Sequence, residues 1–139
     1  MSPGMFWIGW DDSSPAGERE RAGRIVANDL NESFRAWLDD WSAEGYEAQW
    51  REGVERIMEG NHVSALVTAV AESHDGTFSG YRWLMYRVGA DVILRQQLIL
   101  PETVPEFDPR DPYLKIHERT GDASQWIVPT SALREFLAR

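Results

Sequence analysis

The side chains best able to do chemistry in this sequence are three histidines, His62, His74 and His117, and several clusters of carboxylates. No histidine lies within four residues of another, and none has a further ligand at metal spacing, so a zinc or di-iron centre is not expected. The chain has no cysteine, which excludes disulfides, thiolate metal sites and cysteine nucleophiles. It has no nucleophile elbow and no glycine-rich phosphate loop, so Ser64 and Ser79 have no activating motif around them. The carboxylates come as Asp11-Asp12, Asp39-Asp40 and the set Glu102, Glu106, Asp108 and Asp111. Two carboxylates facing each other across a cleft can cleave a glycoside. Spacing along the chain cannot place them so, and 139 residues leave little room for a sugar cleft. The loop acids do not follow the spacing of a calcium loop. No cofactor is expected.

Acids outnumber bases 23 to 14, and the excess is local. Residues 1–60 hold 13 acids and 6 bases, whereas residues 61–100 hold three of each. Such a chain repels phosphate backbones, so direct nucleic-acid binding is not expected. An acidic half has two readings: solvated faces that keep the chain soluble, or a surface that meets a basic partner. No apolar run approaches the roughly 20 residues that span a bilayer, and no signal peptide is evident. The expected setting is the cytoplasm, with no membrane contact.

The elements that must position these groups follow from periodicity and punctuation. Residues 5–10 read as a strand broken by Asp11-Asp12-Ser13-Ser14-Pro15. Residues 24–27 fit a short strand or a helix start, and residues 16–30 stay unassigned. Phe34, Trp37, Leu38 and Trp41 fall at helical spacing, with Asn28 or Asn31 as cap, and predict a first helix. Ser42 caps a second, on which Tyr46, Trp50, Val54 and Ile57 share a face, and Gly60 stops it. Residues 63–70 form a compact apolar run, read as a buried strand. Residues 81–88 and 91–100 read as a hairpin turning at Gly89-Ala90, apolar on both faces and so central in its sheet. Four of the seven prolines lie in 101–112, which predicts an ordered, non-repetitive loop. Residues 113–119 suggest a further strand, 125–128 a last one and 131–137 a closing helix. The whole predicts one α+β domain over residues 1–139. An antiparallel sheet of about four to six strands would have the two aromatic-faced helices packed on one face. Trp37, Trp41, Trp50 and Trp83 are expected in the core.

The hairpin carries a resemblance. Trp83-Leu84-Met85-Tyr86-Arg87-Val88-Gly89, Asp91-Val92 and Gln96-Gln97-Leu98-Ile99-Leu100 resemble CdiI-type immunity proteins of contact-dependent growth inhibition and related polymorphic toxin systems. The likeness extends to Phe107-Asp108-Pro109, Pro112-Tyr113, Ile116, Arg119 and Ser124-Gln125-Trp126. Upstream it takes in Tyr46-Glu47-Ala48-Gln49-Trp50, Gly60 and Ser64-Ala65-Leu66. It spans roughly residues 34–128, in scattered blocks. The chain departs from the family pattern at Arg95-Gln96, where Gln-Asn is expected, and at Gln125, where Glu is expected.

The resemblance implies a non-catalytic protein that binds a cognate toxin C-terminal domain, often a basic nuclease, and covers its active site. The residues expected to meet it are Asp11, Asp12, Asp39, Asp40 and Glu44 of the N-terminal half, and Glu102, Glu106, Asp108 and Asp111 of the loop. The protein would be a monomer or homodimer. Two other readings stay open: an adaptor domain of an unrelated pathway, and a small hydrolase using a carboxylate pair.

Overall fold

The computed structural model describes residues 5–12, 19–117 and 124–139, so parts of the expected turn at 11–15 and of the segments 16–30 and 113–119 lie outside the described residues. Its elements are β1 (Phe6–Trp10), β2 (Glu20–Ala27), β3 (Leu30–Trp37), α1 (Ala43–Met58), β4 (Val63–Glu72), β5 (Phe78–Val88), β6 (Asp91–Ile99), β7 (Trp126–Pro129) and α2 (Thr130–Leu137). The strands form two antiparallel sheets, β1-β2-β3 and β4-β5-β6-β7, rather than one. The α+β class therefore holds, and the single sheet is corrected to two.

The expected first helix is a strand. Leu30–Trp37 pairs along its whole length with β2, from Ala27↔Leu30 to Glu20↔Trp37. The two-residue connection is Asn28-Asp29, with Asn28 at a left-handed φ of 57°. Asparagine tolerates that conformation, and tight hairpins need it. The helical spacing of Phe34, Trp37, Leu38 and Trp41 is a coincidence of a strand running into a turn. Among the described residues α1 is therefore the one long aromatic-faced helix, and it lies against β4. The helix α2 packs instead on β1 and α1, with Phe136 edge-on to Phe6 at 5.3 Å.

The helix α1 forms as its punctuation predicts. The Ser42 hydroxyl accepts from Gly45 N–H at 3.0 Å, and Gly60 sits past the C-terminus at φ 108°. Tyr46, Trp50, Val54 and Ile57 are buried. Trp50 meets Trp10 at 4.9 Å and Phe34 at 5.7 Å, so an aromatic cluster ties the helix to the first sheet. Trp50 and Trp83 are in the core as expected, whereas Trp37 and Trp41 are half-buried at its margin.

The seam between α1 and β4 is polar and fully buried. The Gln49 amide donates to Ala65 O at 2.8 Å, and Val67 N–H donates to Gln49 Oε1 at 2.7 Å. Trp50 Nε1 donates to Val67 O, Val70 N–H donates to the Tyr46 hydroxyl, and Ser64 Oγ donates to Gly53 O. Helix side chains thus satisfy backbone groups along a β4 edge that pairs with no other strand, and Ser64 returns one bond to the helix backbone. Burial also pushes the Tyr46 hydroxyl up to about 12.

The hairpin β5–β6 turns at Gly89 (φ 64°) and Ala90 and is central in its sheet, as predicted. One face of the sheet enters the main core through Trp83, Met85, Val92 and Leu94. The other carries Ala65, Leu84, Tyr86 and Ile93, which Tyr113 and Ile116 of the β6–β7 connection cover. That connection has turns and no strand over residues 101–117, which corrects the strand expected at 113–119 as far as it is described.

Candidate functional site

Three separate segments bring carboxylates and aromatic rings to one open groove of about 660 Å³. The turn between β3 and α1 contributes Asp40 and Trp41. The β4–β5 hairpin contributes Glu72 and Phe78, and the proline-rich connection contributes Phe107, Asp108, Pro109 and Arg110. Asp40 is fixed by accepting from Glu72 N–H at 2.9 Å, which joins the first segment to the second. Phe78 and Phe107 meet edge-on at 6.4 Å, which joins the second to the third.

A buried arginine holds the third segment in place. Arg82 is 1% exposed. Its Nε donates to Gln97 Oε1 at 2.8 Å, and its Nη1 donates to Pro112 O at 2.9 Å. Its guanidinium lies 5.4 Å from the Phe107 ring centroid. Burial lowers its pKa, opposed by the Tyr86 hydroxyl and the Glu106 carboxylate. Tyr113 forms a second anchor. Its hydroxyl donates to Glu52 at 2.6 Å and accepts from Gln49 at 3.1 Å, while Arg56 stacks over its ring at 4.1 Å. Burial and the neighbouring Glu52 push this hydroxyl well above the usual tyrosine value.

The acids singled out from the sequence do not form one surface cluster. Asp40 and Asp108 meet at the groove, one from each expected set. Asp108 accepts from Arg110 N–H at 2.9 Å and pairs with its guanidinium at 3.2 Å. That hydrogen bonding holds the Asp108 carboxyl below its ordinary value. Several others are engaged with nearby arginines: Asp39 with Arg19 at 3.3 Å, Asp12 with Arg21 at 3.7 Å and Asp11 with Arg24 at 3.6 Å. Glu106 lies 3.8 Å from His117. Glu44 sits in the first turn of α1, where a carboxylate complements the helix dipole. Glu102 is exposed, and Asp111 N–H bonds back to Asp108 O. Sequence reasoning missed Glu72, a lone acid at a strand end, and missed Phe78, Phe107 and Arg110 as groove residues.

Aromatic walls beside carboxylates suit a cation, since a ring face and a negative charge both attract it. Among the described residues no three His, Asp or Glu side chains gather as a metal would need. Among the described residues no helix is long and apolar enough to cross a membrane.

Fold and site together define a two-sheet α+β domain with an open, acidic, aromatic-walled groove on its surface. Residues 36–136 match the family model of the CdiI N-terminal domain, and the chain belongs to that family. In structure it is similar to a chain of the CdiA-CT/CdiI toxin and immunity complex from Enterobacter cloacae. The TM-score is 0.80, with 22% identity, over 96% of this chain and 97% of that one. No curated protein matches.

Proposed function

We propose that this chain is an immunity protein of contact-dependent growth inhibition, which binds the C-terminal domain of a cognate toxin and neutralises it. The observation that carries this reading is the family match over residues 36–136, extended by the fold likeness to a chain of a toxin and immunity complex. The acidic excess supports a basic toxin, of which a nuclease is the natural case. An acidic surface laid over a nuclease's substrate channel takes the place of the phosphates and excludes them. Inhibition by cover asks no catalysis of the inhibitor. The place of action is the cytoplasm, where such a toxin meets its substrate, and the protein acts as a monomer or homodimer.

The test is growth rescue. The toxin-like C-terminal region encoded immediately upstream is induced in a sensitive host, with and without this chain. Arrest that this chain alone reverses is the expected result. A toxic neighbour that it does not rescue would overturn the reading. Charge reversal within Asp11, Asp12, Asp39, Asp40 and Glu44, and separately within Glu102, Glu106, Asp108 and Asp111, then asks which set meets the toxin. If neither reversal weakens the complex, electrostatic docking is wrong.

A further inference from the structure

Binding of a basic toxin, on the reading above, leaves open which part of the surface makes the contact. We infer that the groove walled by Trp41, Phe78 and Phe107 receives an arginine side chain of the partner, whose guanidinium takes the position that Arg110 holds on Asp108.

The groove presents three carboxylates, from Asp40, Glu72 and Asp108, against one guanidinium. Glu72 has no ion-pair partner among the described residues, and Asp40 uses one oxygen on Glu72 N–H. The Arg110 side chain is 90% exposed. An ion pair so open to water is weak, because solvent screens it and the side chain must be immobilised. A guanidinium entering from a partner reaches the same carboxylate with its charge desolvated between aromatic rings, where both attractions strengthen. Arginine fits better than lysine, since its planar fork can pair with a carboxylate through two bonds and stack flat on a ring. The Asp108–Arg110 pair is thus an internal copy of the contact. It keeps the carboxylate occupied while the groove is empty.

Arg110 is then a competitor of the partner's arginine for Asp108, so its removal should strengthen binding. Binding of a catalytically inactive form of the neighbouring toxin domain is measured by calorimetry, with thermal melting to confirm that each variant is folded. Arg110→Ala is expected to tighten binding by about three- to tenfold, and the double variant Glu72→Gln/Asp108→Asn to weaken it by about tenfold or more. Arg134→Ala removes the same charge from α2 and is expected to change binding less than about twofold. Equal tightening by Arg110→Ala and Arg134→Ala would reduce the effect to net charge and overturn the inference. So would wild-type affinity in the double variant, with the immunity reading intact. If the wild-type chain does not bind the toxin domain at all, the immunity reading falls instead. The groove is then decided on the chain alone, by following the Trp41 indole N–H in an NMR titration. A shift with N-acetyl-arginine amide but not with N-acetyl-glutamine amide sustains the guanidinium site, and no shift removes it.

Discussion

Gln49 and Val67 are joined as neighbouring strand residues would be, although one belongs to a helix. The Gln49 side chain accepts from Val67 N–H at 2.7 Å and donates to Ala65 O at 2.8 Å, so one primary amide stands in for a peptide group along the β4 edge. Its remaining N–H reaches the Tyr113 hydroxyl. Helix, strand edge and loop therefore meet at one side chain. Gln49→Ala leaves buried backbone groups unpartnered and is expected to cost about 2–4 kcal/mol, read as a lower denaturant midpoint at unchanged slope.

Gly53 lies where α1 passes close against the β4 backbone. A Cβ there would stand 2.4 Å from Ala65 O. In an open helix Gly→Ala gains about 1 kcal/mol. Here Gly53→Ala is expected to lose about 1–3 kcal/mol, because the helix must move off the strand and stretch the Gln49 and Trp50 bonds. A more stable variant in thermal melting would show that the seam is looser than its distances indicate.

Arg82 fixes the loop that carries Asp108. Arg82→Met keeps much of the side-chain volume but loses the bonds to Gln97 and Pro112. The expected cost is about 1.5–3 kcal/mol, as for hydrogen bonds from a charged donor. The loop should open locally, so limited trypsin digestion should cut after Arg110 and Lys115 well before the sheet is attacked. Cleavage no faster than in the wild type would mean that Tyr113 alone holds the loop.

Asp108 keeps its charge to lower pH than an ordinary aspartate. Its folded-state pKa lies below the ordinary 3.8 because Arg110 stabilises the charged form. A depressed carboxyl contributes stability above its unfolded value and loses it as pH falls through the folded value. The pair should therefore be intact at neutral pH and persist below pH 3.8. In a carboxyl NMR titration the Asp108 midpoint should lie below 3.8 and rise toward it in Arg110→Ala.

What could be read from the sequence was local. Ser42 and Gly60 bound α1 because caps act within a turn of the chain, and Gly89 marks its hairpin because a two-residue turn selects its own residues. The same logic holds at Asn28-Asp29, where an aromatic spacing that happens to be helical competes with it. The β-branched run Ile25-Val26 before that turn decides for the hairpin. Two sheets rather than one could not be read, because strand order depends on contacts between distant segments. The groove was half legible for the same reason. Asp40 and Asp108 stand in visible acidic runs, whereas Glu72 becomes part of the site only when β4 delivers it beside Asp40. Three of the other seven acids named from their runs, Asp11, Asp12 and Asp39, are held by arginines that the fold brings to them.

The seam between α1 and β4 also bears on how the chain is made. A bare strand edge is a template for other chains while a protein is being synthesised. Here the covering helix precedes the strand it covers, with Gln49 only 18 residues before Val67 and Gly53 only 11 before Ser64. Closing loops this short is fast, on the order of microseconds or less, whereas a ribosome adds about 5–20 residues each second. By the time β4 leaves the exit tunnel the helix that seals it is already outside, so the strand can be sheltered as it emerges.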